Sequence, residues 1–127
     1  MIAALALGFA AAKVVRIIGG NAPSAFGLTT HHVILFVMTG IVGPVAEELL
    51  DRGIYLSTLL GRLPTFPALL IVCLAEAVNH RAFVPALIIQ VTISTAYILS
   101  RRSLSASVAC HITVNILAFF PRVLLVR

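Results

Sequence analysis

The sequence predicts an all-α integral membrane protein, a polytopic bundle of about five transmembrane helices around a polar intramembrane cavity. Three observations predict it. Of the 127 residues, 61% are hydrophobic and only 10% charged, with mean hydropathy +1.13, whereas a soluble domain carries about 25% charged residues. The apolar residues form long runs separated by short stretches containing Gly, Pro and Arg, the pattern of membrane spans and their connections. All four acids, Glu47, Glu48, Asp51 and Glu76, lie inside or at the end of those runs, whereas eight of the nine bases lie near run ends or in connections.

Taken in order, Ile2 to Ile18 is the first segment, apolar except for Lys13 and Arg16, whose long side chains can snorkel to the interface. It does not read as a cleavable signal peptide, because its first base, Lys13, follows the apolar stretch instead of preceding it. Gly19 to Ser24 breaks the chain, the linker continues from Gly27 to Thr30, and His31 and His32 fall at the membrane edge. The second helix runs from Val33 to Leu60 with Gly43-Pro44 inside it. Pro44 removes a backbone donor, kinks the helix and frees carbonyls one turn earlier, which suits a polar cavity.

Gly61-Arg62-Leu63-Pro64 is a tight connection to a third segment, Thr65 to Asn79. That segment is shorter than the ~20 residues of a straight span, so it is short, tilted or entered from a cavity. Ala82 to Ser100 reads as an ordinary fourth span closed by Arg101-Arg102. Leu104 to Phe120 is the fifth, with His111 at its middle and Pro121 ending it. The chain, 1–127, reads as one membrane domain. With Lys13, Arg16, Arg81, Arg122 and Arg127 on one side and Arg62, Arg101 and Arg102 on the other, the charge bias does not set orientation.

The net charge of +5 and pI near 10.3 do not point to nucleic acid. The bases are scattered singly apart from Arg101-Arg102, the pattern of contacts to lipid headgroups. Cys73 and Cys110 lie in apolar runs without a CxxC spacing and read as small core residues.

The stretch Glu47-Glu48-Leu49-Leu50-Asp51-Arg52 puts four ionisable groups near the centre of the second span. Each costs roughly 2.5–3.5 kcal/mol there unless paired, protonated or bound, so together they mark a site. Spacing of four places partners one turn apart: Glu47 over Asp51, Glu48 over Arg52, Glu76 over His80, and His111 over Asn115. Glu48 to Arg52 has the order of an intrahelical ion pair. A glutamate with a histidine can deprotonate water, and a histidine with an asparagine can donate to an oxyanion. The residues alone leave three readings open: a hydrolytic site, a proton or ion pathway, and a polar core that fixes helix register.

The three blocks resemble those of the CPBP intramembrane protease family, which includes the type II CAAX prenyl endopeptidases and the bacteriocin-processing and abortive-infection-type proteins. Glu47-Glu48 and Arg52, followed by Gly53, match its EExxxR block; His80 matches the histidine of FxxxH; His111 and Asn115 match HxxxN. The resemblance places the catalytic core at about 33–120 and implies the roles. Glu47 is the general base that activates water, His80 binds and polarises that water, His111 and Asn115 hold the oxyanion, and Glu48 and Arg52 support the site. It implies an intramembrane endopeptidase of the glutamate type, without a metal cofactor, in a prokaryotic cytoplasmic membrane. The implied partners are membrane lipids and a peptide or lipidated-peptide substrate.

Three departures from the family pattern stand out. Asp51 replaces an apolar or aromatic residue before the arginine, and Glu76 replaces the phenylalanine of the second block. The segments also number about five where family members commonly have about eight, which reads as a minimal core or a fragment. The added acids open an alternative in which Glu47, Glu76, His80 and His111, with Asp51 nearby, ligate a divalent metal such as zinc. They also favour the alternative function, a non-catalytic membrane protein that binds a partner or conducts protons or ions.

Overall fold

The computed structural model describes residues 30–124, which are helical apart from short connections. The expected first segment, Ile2 to Ile18, lies outside the described residues. Helix α1 spans 30–60, α2 is Thr65–Ala77, α3 is Phe83–Leu99 and α4 is Leu104–Leu124. They pack in chain order, α1 on α2, α2 on α3 and α3 on α4, and α4 returns onto α1. A ring of four helices results, with α1 and α3 across its centre from one another.

Only the part of α1 at Val33–Leu60 is both long and apolar enough, among the described residues, to cross a membrane. Its 28 residues extend roughly 42 Å at about 1.5 Å per residue, more than the ~30 Å hydrocarbon core. The helices Thr65–Ala77, Phe83–Leu99 and the stretch Leu104–Ala118 are apolar but shorter. Much of α1 points outward: Val33, Ile34, Val37, Met38, Val42, Leu49, Leu50 and Ile54 are exposed, whereas Glu48, Asp51 and Arg52 are buried. Apolar outside and charged inside is the arrangement expected when the surroundings are lipid.

Pro44 is accommodated inside α1 by widening the helix. A proline cannot donate, and its ring crowds the carbonyl four residues back, that of Gly40. The turn before it, Met38–Val42, accordingly forms a π segment, and the Gly43 N–H reaches back to the Met38 carbonyl. The expected disruption thus takes the form of an extra residue in a turn, the kind of insertion often found at functional sites. A second π segment, Leu49–Leu56, follows the glutamate pair.

The connections use local chemistry. Pro67 and Pro85 fall in the first turns of α2 and α3, where a missing N–H costs nothing. Asn79 Nδ2 donates to the Ala75 carbonyl at 2.9 Å and His80 Nδ1 lies 3.0 Å from the Glu76 carbonyl, so these side chains close the end of α2. Helix α4 runs through Pro121 to Leu124, where the sequence predicted an end at the proline; one lost donor is tolerated inside an apolar helix.

Arg101 and Arg102 both adopt positive φ, 58° and 63°, and the Arg102 N–H closes α3 by reaching the Tyr97 carbonyl at 2.8 Å. Such a closure favours glycine. Arg101→Gly relieves left-handed strain of about 1–2 kcal/mol and adds unfolded-state entropy of about 0.5–1 kcal/mol. The expected result is a net gain of up to about 1.5 kcal/mol, read from the unfolding midpoint in detergent; a lower midpoint would contradict it.

Two apolar clusters hold the ring together. Ile93, Ala96, Ala106 and Cys110, with Ile89, join α3 to α4; Leu56, Ala68, Val72 and Tyr97, with Leu59 and Leu69 among others, join α1, α2 and α3. Small residues at these contacts let the backbones approach closely. Cys73 and Cys110 are free and buried, as a packing role requires.

Candidate functional site

The site is built where the middle of α1 meets α4. Glu48 and Arg52 are fully buried, and the ion pair that their spacing predicts is present, with Arg52 Nη1 3.0 Å from Glu48 Oε1. The same Glu48 oxygen accepts from His111 Nδ1 of α4 at 2.8 Å. One carboxylate oxygen therefore joins a guanidinium and an imidazole from two helices. Among the described residues, Glu48 Oε2 and Arg52 Nε are buried without a hydrogen-bond partner.

Glu47 behaves differently. Its side chain is 47% exposed, and its Oε2 lies 3.7 Å from His111 Nε2. The two glutamates thus meet opposite nitrogens of one ring: the buried one holds Nδ1, and the open one faces Nε2. With Nδ1 occupied by Glu48, Nε2 is the ring atom left to meet a reacting group.

Asn115, one turn beyond His111, donates through Nδ2 to the Thr39 carbonyl at 3.2 Å. The acceptor follows from the proline. The Gly43 N–H bonds back to Met38 and position 44 supplies no N–H, so the Thr39 carbonyl takes its bond from the Asn115 amide instead of from its own helix. The carbonyl that Pro44 frees is thus a second point, beside the His111–Glu48 contact, at which α4 is pinned to α1.

Glu47 and Asp51 do not share a face as expected. Asp51 is 3% exposed, contacts Arg52 Nη1 at 3.3 Å and faces the Glu76 carboxyl of α2, whereas Glu47 is half exposed beside His111. The two acids that depart from the family pattern are therefore partners. They lie in one cleft of about 470 Å³ between α1 and α2, which Tyr55, Thr58 and Asn79 also line.

His80 stands apart from this group. It is exposed in the turn after α2, with Nδ1 at the Glu76 carbonyl, and among the described residues no hydrogen bond or ion pair joins it to Glu47 or His111. Among the described residues, no three His, Cys, Asp or Glu side chains are placed to hold a metal ion. The alternative ligand set Glu47, Glu76, His80 and His111 is thus not assembled.

Sequence reasoning missed Gln90 and Ser94 of α3, both buried. Arg52 Nη2 donates to Gln90 Oε1 at 2.5 Å, to the Gln90 carbonyl at 3.2 Å and to Ser94 Oγ at 3.1 Å. The signal was available: the two lie four apart in an otherwise apolar span, the same spacing that marked the other pairs.

The structure thus gathers Glu47, Glu48, Arg52 and His111, aligns Asn115 beside them, and leaves His80 outside. Comparison with curated proteins and with solved structures gives no match. The family profile described as type II CAAX prenyl endopeptidase Rce1-like matches residues 29–117, a stretch that contains all three blocks. With most of its length matched, the chain belongs to the Rce1-like family of type II CAAX prenyl endopeptidases, a family of membrane proteases.

Proposed function

We propose that this protein is an intramembrane endopeptidase of the glutamate type. One observation carries the reading: a half-exposed Glu47 faces His111 Nε2, while the opposite nitrogen of that ring is held by a buried Glu48–Arg52 pair. A base in the open beside an immobilised imidazole suits attack by water on a carbonyl. Membership in a protease family implies a peptide substrate and disfavours the conducting or partner-binding alternative.

In the proposed reaction Glu47 takes a proton from water as the water oxygen bonds to the scissile carbonyl carbon. The carbonyl oxygen becomes an oxyanion, held by Nε2–H of His111 and the second Nδ2–H of Asn115. Donation by both ring nitrogens of His111 uses the imidazolium form. The C–N bond then breaks, and Glu47 returns its proton to the departing amine. His80 holds the attacking water in this scheme, a role that requires the turn at 78–82 to close over Glu47 when peptide enters; closure of this kind is a common gating step. The reaction needs no metal.

The substrate proposed is a peptide segment that enters from the membrane or its edge. The family's description supports a farnesylated C-terminal peptide as the first to try, with bacteriocin-type leader peptides second. The exposed apolar face of α1 supports a lipid environment, which we take to be a prokaryotic cytoplasmic membrane.

The test is cleavage of a farnesylated CAAX peptide and of a library of membrane-partitioning peptides by purified protein, read by mass spectrometry with and without chelator. The expected result is a discrete cut that persists with chelator and falls at least about 10²-fold in His111→Ala, the usual loss when an oxyanion donor is removed. A cut unaffected by His111→Ala would remove the assigned mechanism, and one abolished by chelator would remove its metal-free form.

A further inference from the structure

Arg52 is completely buried, and its guanidinium is always charged. Its fork is shared between two helices. Nη1 donates to Glu48 Oε1 and Asp51 Oδ2 on its own helix, whereas Nη2 crosses to α3 and meets Gln90 Oε1, the Gln90 carbonyl and Ser94 Oγ. A planar fork held at both prongs is fixed in orientation, so the contacts on α3 set the direction from which Nη1 reaches Glu48. Glu48 Oε1 then accepts from His111 Nδ1. The contacts run without a gap from Gln90 through Arg52 and Glu48 to His111, and end on Nδ1, the ring nitrogen opposite the one that faces Glu47.

The residue types on α3 fit that use. Thr92 and Thr95 donate their hydroxyls to the Ile88 and Val91 carbonyls of their own helix. Gln90, only 2% exposed, turns its amide oxygen away from its helix and onto Arg52. Being neutral, the amide anchors the guanidinium without competing for its charge, which stays with Glu48. Packing alone would be served by leucine or methionine, with no polar group to desolvate.

We propose that Gln90, aided by Ser94, is a positioning residue: it clamps Arg52 so that Glu48 holds His111 with Nε2 presented to the scissile carbonyl. The proposal rests on the assignment of His111 given above. Gln90 itself touches no reacting atom.

The experiment is ring ¹⁵N spectroscopy of histidine-labelled full chain in lipid nanodiscs, with the His111 signals identified by their loss in His111→Gln. Gln90→Met, which preserves volume and removes the acceptor, is expected to move the His111 ring signals, and Ser94→Ala to move them in the same direction by less. Thr92→Val, on the same helix, is expected to leave them in place. If Gln90 acts through Arg52, Gln90→Met in an Arg52→Lys background causes no more than about half the shift it causes alone, the non-additivity of residues in one network. On a farnesylated CAAX peptide the expected effect of Gln90→Met is a fall in kcat of about 10-fold with KM within about 2-fold, the signature of an interaction realised in the transition state.

Unmoved His111 signals in Gln90→Met overturn the proposal, as does an equal shift in the Arg52→Lys background, which would mean that Gln90 acts by packing. If Gln90→Met does not fold, Ser94→Ala is read by the same two criteria. Wild-type protein that cuts no peptide, yet shows the His111 shift and its dependence on Arg52, keeps the clamp and overturns the hydrolytic reading instead.

Discussion

Glu47→Gln is expected to lower kcat for peptide cleavage by about 10²–10⁴-fold, the range for loss of a positioned general base, while leaving the unfolding midpoint nearly unchanged. The two halves of this expectation come from one geometry. Glu47 has 47% of its side chain exposed, and its only ionic neighbour among the described residues is His111 Nε2 at 3.7 Å, so replacing the carboxylate with an amide of the same shape removes little from the folded state. The same replacement removes the acceptor for the proton of water. Parallel measurement of cleavage by mass spectrometry and of unfolding in detergent separates the two. A variant that still cuts at the wild-type rate would take the base role away from Glu47; one that loses activity only because it unfolds would make Glu47 a structural residue.

Much of this arrangement was legible in the sequence because it is local. Spacing of four along one helix correctly paired Glu48 with Arg52, and the cost of charge in an apolar run singled out the α1 cluster before any helix was placed beside it. What could not be read is what depends on helix-to-helix placement or on irregular turns. Glu47 and Asp51 were expected to meet on one face, but Glu47 turns to His111 on α4 and Asp51 to Glu76 on α2. A helical wheel does not show which neighbouring helix each acid meets. The two acids that seemed separate departures prove to face one another, which needs the α1–α2 packing to be seen.

Pro44 illustrates an intermediate case. That it would free backbone carbonyls could be inferred from its missing N–H, but the group that satisfies the Thr39 carbonyl, Asn115, lies 76 residues away in sequence. The sequence therefore identified the donor as a candidate site residue and the acceptor as a helix defect, without connecting them. Their contact gives Asn115 a second task, to register α4 against α1, beside any contact it makes to substrate. Gln90 and Ser94 were passed over for a simpler reason. They are neutral, and a search guided by the cost of charge does not weigh an amide and a hydroxyl, although these two anchor a fully buried cation.

That cation is the subject of the second large effect. Arg52→Met is expected to destabilise the folded protein by about 3–5 kcal/mol, the cost of breaking a buried ion pair by removing one partner. Glu48, 0% exposed, and Asp51, 3% exposed, would both lose the guanidinium contacts that they share, and Gln90 Oε1 would lose its short contact as well. The loss should appear as poor recovery from membranes or a lowered unfolding midpoint, before any assay of cleavage. Adding Glu48→Leu to Arg52→Met replaces both members of the pair, and buried pairs replaced by apolar side chains often cost little or even stabilise. The double variant should therefore regain a large part of the lost stability while remaining inactive, because His111 Nδ1 no longer has its acceptor. Recovery of both stability and cleavage would show that the buried pair does not orient His111. No recovery of stability would show that Asp51 and Gln90, not Glu48, are the partners for which the buried charge matters most.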